Sequence, residues 1–175
     1  MKAFLVGLFF GVVLVVLGVF GYFVSGSAPV ATSASPIPFE KFLAAKALHA
    51  KIAQEMPKSV PIPVDEPNLL AGARVYRDNC AVCHGLPGQP ATAIAQGMFP
   101  KPPELLRGKG VTDDPAGETY WKVVNGIRLS GMPAFHQSLS DTQAWQVSVM
   151  LANAEKLPSS VQAELSSPPP APSTK

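Results

Sequence analysis

Two cysteines and one histidine stand together in Cys80-Ala81-Val82-Cys83-His84, and the chain has no other cysteine. The C-x-x-C-H spacing is that of covalent haem c attachment. Two thiols, one helical turn apart, can each form a thioether with a vinyl group on one edge of a porphyrin. The adjoining imidazole of His84 then faces the iron. A redox dithiol also uses C-x-x-C, but usually beside a βαβ pattern, and the surrounding sequence reads as helices and proline loops. A zinc site normally takes four protein ligands. Beyond the two cysteines and His84, only His49 and His136 are available as imidazoles or thiols, so zinc fits poorly.

A haem iron held by one histidine takes its sixth ligand from elsewhere in the chain. Met132, in Ser130-Gly131-Met132-Pro133, is the residue expected to supply it. A thioether is a soft ligand that favours ferrous iron, and a His/Met pair raises the reduction potential. Gly131 lets the backbone come close, and Pro133 stiffens the loop. The rivals are Met98, in a looser loop, and His136, which would give a bis-histidine iron.

The elements that must hold these groups are helical. Asp65-Glu66-Pro67 is a helix start, with a capping carboxylate and an early proline. The helix it opens carries Leu69, Gly72, Tyr76 and Cys80 on one face and ends at the cysteine motif. A proline-rich loop follows from Gly85 to Pro115. A short helix is expected over Gly117 to Asn125, stopped by Gly126. Ser140-Asp141-Thr142-Gln143 is a capping box for a last helix reaching about Leu157. No repeat and no convincing strand pattern is present.

Ahead of this domain, Ala3 to Val24 is uncharged and mostly apolar. At about 1.5 Å per residue it is long enough to cross a hydrocarbon core of about 30 Å. Lys2 precedes it, so the remainder is expected beyond a bacterial cytoplasmic membrane, in the periplasm or on the outer face. The alternative is a removed secretory signal, against which Pro29 directly follows the small residues 25–28. Residues 26–64 read as a linker with an amphipathic helix at about 39–56, striped by Phe42, Ala45, Leu48, Ile52 and Met56. Residues 159–175, rich in Ser, Pro and Ala, read as a disordered tail. The division is therefore an anchor at 1–25, a linker at 26–64, a haem domain at 65–158 and a tail at 159–175. The chain carries 14 basic and 12 acidic residues, a balance that does not point to a nucleic-acid partner.

Cys80 to Gly85, Gly131 to Phe135 and the terminal helices together resemble the monohaem class I cytochrome c family over about Asp65 to Pro158. That resemblance implies an all-α fold, helices around one covalently bound haem c, and electron transfer rather than catalysis. It implies that a small residue on the first helix crosses an aromatic on the last, roles that Gly72 and Trp145 fit. It implies a proline carbonyl on the haem histidine, placed at Pro103, and an aromatic near a haem propionate, placed at Trp121. The span and the extra helix set the chain apart from a soluble carrier. Its partners are then the membrane and a redox donor and acceptor, as a carrier or as a subunit of a respiratory or dehydrogenase complex. The alternative is a haem peroxidase or gas sensor with a labile sixth ligand.

Overall fold

The computed structural model describes residues 1–107 and 114–167. Among them all regular structure is helical. The chain divides into two compact units, residues 1–42 and 43–175.

In the first unit, α1 (Lys2–Val24) is a single, strongly apolar helix of 23 residues with no buried residue. It is long and apolar enough to cross a membrane. Its glycines Gly7, Gly11, Gly18 and Gly21 have nothing within 4 Å of a Cβ.

The second unit is built on α3 (Glu66–Asn79), α6 (Ala116–Asn125) and α7 (Asp141–Ala152). Each begins where its local chemistry dictates. The Asp65 carboxylate accepts from Asn68 N at 3.0 Å, satisfying one of the free amides of the first turn of α3. Ser140 and Gln143 bond reciprocally to each other's backbone amides at the start of α7, a complete capping box. Gly126, at φ +66°, ends α6 in a conformation that costs glycine little.

The core forms where α3 lies across α7. Tyr76, Val147, Met150 and Val149 are buried there with Leu69 and Ala73. The crossing is close because position 72 has no side chain. A Cβ on Gly72 would sit 2.2 Å from the Gln146 carbonyl oxygen and 2.8 Å from Met150 Cβ. The helix therefore meets α7 one residue beyond Trp145. The Trp145 ring stacks on Tyr120 of α6, with centroids 4.1 Å apart.

Two segments differ from the sequence reading. Residues 159–175 were expected to be disordered, yet Ser159–Ser166 forms α8, which packs on α3. Val161 and Leu165, four residues apart, are both buried in the core, and Glu164 pairs with Arg77. Two apolar residues in a serine-rich stretch are a weak periodic signal, and burial supplies what helix propensity does not. Residues 168–175 of that tail lie outside the described residues. The last core helix also stops at Ala152, where a short 3₁₀ turn, Ala154–Lys156, takes over.

The linker helix appears as α2 (Glu40–Glu55), and its C-terminal part belongs to the second unit. Of its stripe, Ile52 is buried and Leu48 and Met56 are half-buried, whereas Phe42 is exposed. The following Pro57 carbonyl sits where a Cβ on Gly117 would lie, 2.2 Å away. The connector thus rests on the first turn of α6.

Candidate functional site

The cysteine motif occupies a one-turn helix, α4 (Ala81–His84), immediately after α3, with Cys80 joining the two. The turn is held by Cys83 N and His84 N, which both donate to the Cys80 carbonyl, at 3.0 and 2.8 Å. Both thiols are therefore on adjacent turns of one rigid unit, and both are free and half-buried. Burial, with Cys83 adding to it, pushes the Cys80 thiol up to about 12. A redox dithiol works through a thiol shifted the other way, toward thiolate.

Beyond His84 the backbone turns sharply at Gly85, φ +79°. The buried Tyr76 hydroxyl donates to the Gly85 carbonyl at 2.8 Å. This bond ties the residue after the histidine back to the middle of α3. Thr92 closes the other side. Its hydroxyl donates to the Val82 carbonyl inside the motif at 2.6 Å and accepts from Ala95 N at 3.1 Å. In doing so it caps α5 (Ala93–Gly97), a short helix within a stretch expected to be all loop. Five residues give too little periodicity to be read from sequence.

His84 Nδ1 lies 2.8 Å from the Pro103 carbonyl oxygen. A carbonyl can only accept, so the ring hydrogen is on Nδ1 and Nε2 keeps its lone pair. Burial holds the imidazole below the ordinary histidine value, and the Pro103 bond offsets part of that shift. This is how a metal-binding histidine is commonly oriented, by a second hydrogen bond that fixes ring and tautomer. Pro103, rather than Pro100 or Pro102, makes the contact. A cleft of about 230 Å³ opens beside the ring, bordered by Cys83, Leu86, Ala95, Pro102 and Leu106.

The Met132 loop leaves and rejoins α6. Ile127 N donates to the Met132 carbonyl at 3.1 Å, and Phe135 N to the Val123 carbonyl at 3.0 Å. Gly126 makes this possible, since a Cβ there would meet Met132 O, Pro133 C and Ala134 N at 2.6–2.9 Å. Met132 is half-buried against the core. Of its rivals, Met98 packs against Gly131 of the same loop. His136 Nδ1 is 3.3 Å from the Val124 carbonyl oxygen.

Trp121 was expected beside a propionate. Its indole N–H donates to the Glu55 carboxylate of α2 at 3.1 Å. Lys51 and Trp121 together hold the Glu55 carboxyl below its ordinary value. The apolar stripe of α2 was expected to lie against the haem domain or a partner, and Ile52 is buried accordingly. The Glu55–Trp121 bond and the bond from Tyr76 were not read from the sequence, because each joins distant segments.

Among the described residues, no three His, Cys, Asp or Glu side chains cluster to hold a bare metal ion. The donor set of two adjacent thiols and an oriented imidazole suits an iron that brings its own equatorial ligands in a porphyrin, which the thiols fasten.

Residues 67–149 match the family described as cytochrome c oxidase, cbb3-type, subunit III. The thiosulfate dehydrogenase of Stutzerimonas stutzeri (strain A1501) is 29% identical over 146 residues, which are 81% of this chain and 46% of that protein. The chain thus spans about half the length of this curated relative. A chain of the reducing HAO-like protein complex of Kuenenia stuttgartiensis aligns at 24% identity with a TM-score of 0.46, covering 57% of this chain and 50% of the other. The helices around α3 and α7, the oriented His84 and the family match all fall on the same stretch, and it is over residues 67–149 that the chain is similar to c-type cytochromes.

Proposed function

We propose that the protein transfers single electrons through one haem c, with Cys80 and Cys83 as attachment sites and His84 and Met132 as axial ligands. The observation that carries this reading is the 2.8 Å contact between His84 Nδ1 and the Pro103 carbonyl. It leaves Nε2 as the ring nitrogen available to iron and makes the imidazole a stronger donor. When bound, haem c supplies a reversible one-electron iron couple. The residues of this chain do the rest. The two cysteines would retain the group, Pro103 fixes the ring of His84, and Met132 would be the second protein ligand to the iron. With both ligands supplied by the chain, no site would be left for substrate, and the domain would carry electrons rather than perform bond chemistry. Trp121 enters this reading as the residue that fastens α2 through Glu55.

The helix α1 supports a single-pass anchor in a bacterial cytoplasmic membrane, with the haem domain in the periplasm. Tethering restricts the domain to a surface and raises its effective concentration toward membrane redox proteins. The donor and acceptor are then redox proteins at that membrane, with which the chain works as an anchored carrier or as a subunit. The thiosulfate dehydrogenase activity belongs to a relative of which this chain covers 46%, and it is not carried over.

A haem stain that survives denaturing electrophoresis, and is lost when Cys80 and Cys83 are both changed to Ala, tests covalent attachment. The oxidised protein should show a sulfur-to-iron charge-transfer band, and the reduced protein should bind carbon monoxide only very slowly at neutral pH. Rapid carbon monoxide binding in the unmodified protein would instead favour the peroxidase or sensor reading.

A further inference from the structure

Between α5 and Pro103 the chain passes through Met98, whose side chain crosses to the loop that carries Met132. A Cβ on Gly131 would lie 1.9 Å from Met98 Cε, 3.4 Å from its Sδ and 3.7 Å from its Cγ. The thioether therefore lies along the bare face of Gly131, one residue from Met132. Unlike Gly126, Gly131 has a φ outside the left-handed region. Backbone conformation does not demand a glycine here, and what lies along its bare face is the terminal methyl of Met98.

The segment that carries Met98 is fastened to the histidine side at both ends. At one end Thr92 is bonded to the Val82 carbonyl, and at the other Pro103 is bonded to His84. Its middle touches the opposite loop through Met98. One flexible, polarisable side chain thus joins the segment that orients His84 to the loop that bears Met132.

We infer that Met98 is a positioning residue that, by filling the space above Gly131, keeps the Met132 loop closed over the haem. This rests on the reading of Met132 as the sixth ligand. Met98 acts through the loop and does not itself bind iron. Removing it leaves Gly131 unpacked and lets the loop open more often, so that an external ligand competes for the sixth position. A methyl at position 131 should have the same effect, because it displaces the far end of the Met98 side chain.

The test uses the full-length, haem-loaded protein and the variants M98A, M98L, G131A, M98A/G131A and M132A. Haem staining establishes that each is loaded. The readouts are the rate of carbon monoxide binding to the reduced protein and the sulfur-to-iron band of the oxidised protein. M98A and G131A should each bind carbon monoxide about tenfold faster, the effect of losing about 1.4 kcal/mol of loop closure. The double variant should be no faster than the faster of the two, because both changes remove one shared contact. M98L, which conserves volume, should remain close to the unmodified protein and keep the band. An M98A rate equal to that of the unmodified protein, or single effects that multiply in the double variant, would overturn the inference. Loss of the band in M98L with retention in M132A would make Met98 the ligand, and both this inference and the Met132 assignment would fall. Loss of the band in M132A with a silent M98A would sink only the inference.

Discussion

The hydroxyl of Tyr76, in the middle of α3, donates to the carbonyl of Gly85, the residue directly after His84, across 2.8 Å. The turn that presents the histidine is therefore pinned to the core as well as by its own local bonds. Tyr76→Phe keeps the buried ring and removes the bond, leaving a half-buried carbonyl without its donor. The expected loss is about 1–2 kcal/mol, read as a lower midpoint in urea unfolding of the haem-loaded protein. An unchanged midpoint would mean that water takes over the bond at no cost.

Gly72→Ala should be among the most damaging single methyl additions in the chain. The new Cβ would meet the Gln146 carbonyl at 2.2 Å and Met150 Cβ at 2.8 Å, and neither can move unless α3 and α7 part. Overpacking of this kind typically costs about 1–3 kcal/mol, whereas alanine's better helix propensity returns only about 1 kcal/mol. Gly97→Ala in α5 is the control. Nothing lies within 4 Å of its Cβ, so thermal unfolding should show a neutral or slightly positive change.

Gly117→Ala should act on α2 rather than on the core. Its Cβ would collide with the Pro57 carbonyl at 2.2 Å and lift the connector from α6, stretching the bond between Trp121 and Glu55. Limited trypsin digestion is expected to cut faster at Lys51 and Lys58, while the α3–α7 core resists as before. Equal cleavage rates in both proteins would show that α2 is held by Ile52 alone.

Alkaline pH should weaken the start of α6 through Lys122. Burial lowers the pKa of its ammonium, but bonds to Asp114 and Glu118 outweigh that, and the net shift is upward. A lysine raised on folding contributes stability that is fully present below its unfolded pKa of about 10.4 and is lost as pH rises through the folded value. The stability difference between the unmodified protein and Lys122→Met should therefore be constant from neutral pH to about 10 and shrink above it. A difference that does not change with pH would assign Lys122 a packing role only.

What could be read from the sequence is what neighbouring residues settle among themselves. Asp65 with Asn68, and Ser140 with Gln143, place the starts of α3 and α7, and the Cys80–His84 spacing places the chemistry. What could not be read depends on distant segments meeting. Val161 and Leu165 become a helix only because α3 offers them a surface. Trp145 stacks on Tyr120, and the register of the α3–α7 crossing decides that Gly72 faces Gln146. Trp121 was placed by resemblance beside a propionate, whereas α2, which no short motif announces, supplies the carboxylate that engages its N–H. Pro103 was one of several nearby prolines, and tertiary geometry alone distinguishes it.

The Met132 loop is closed on itself at the end of α6 by the bonds from Ile127 to Met132 and from Phe135 to Val123. Such a segment can detach as one cooperative piece, at a fraction of the global unfolding free energy, while α3 and α7 stay packed. Amide exchange along residues 127–135 would then run well ahead of exchange in the two long helices. With Met132 as the proposed iron ligand, the reduction potential would follow the occupancy of a small hinged flap, and temperature or denaturant could shift it long before the fold itself gives way.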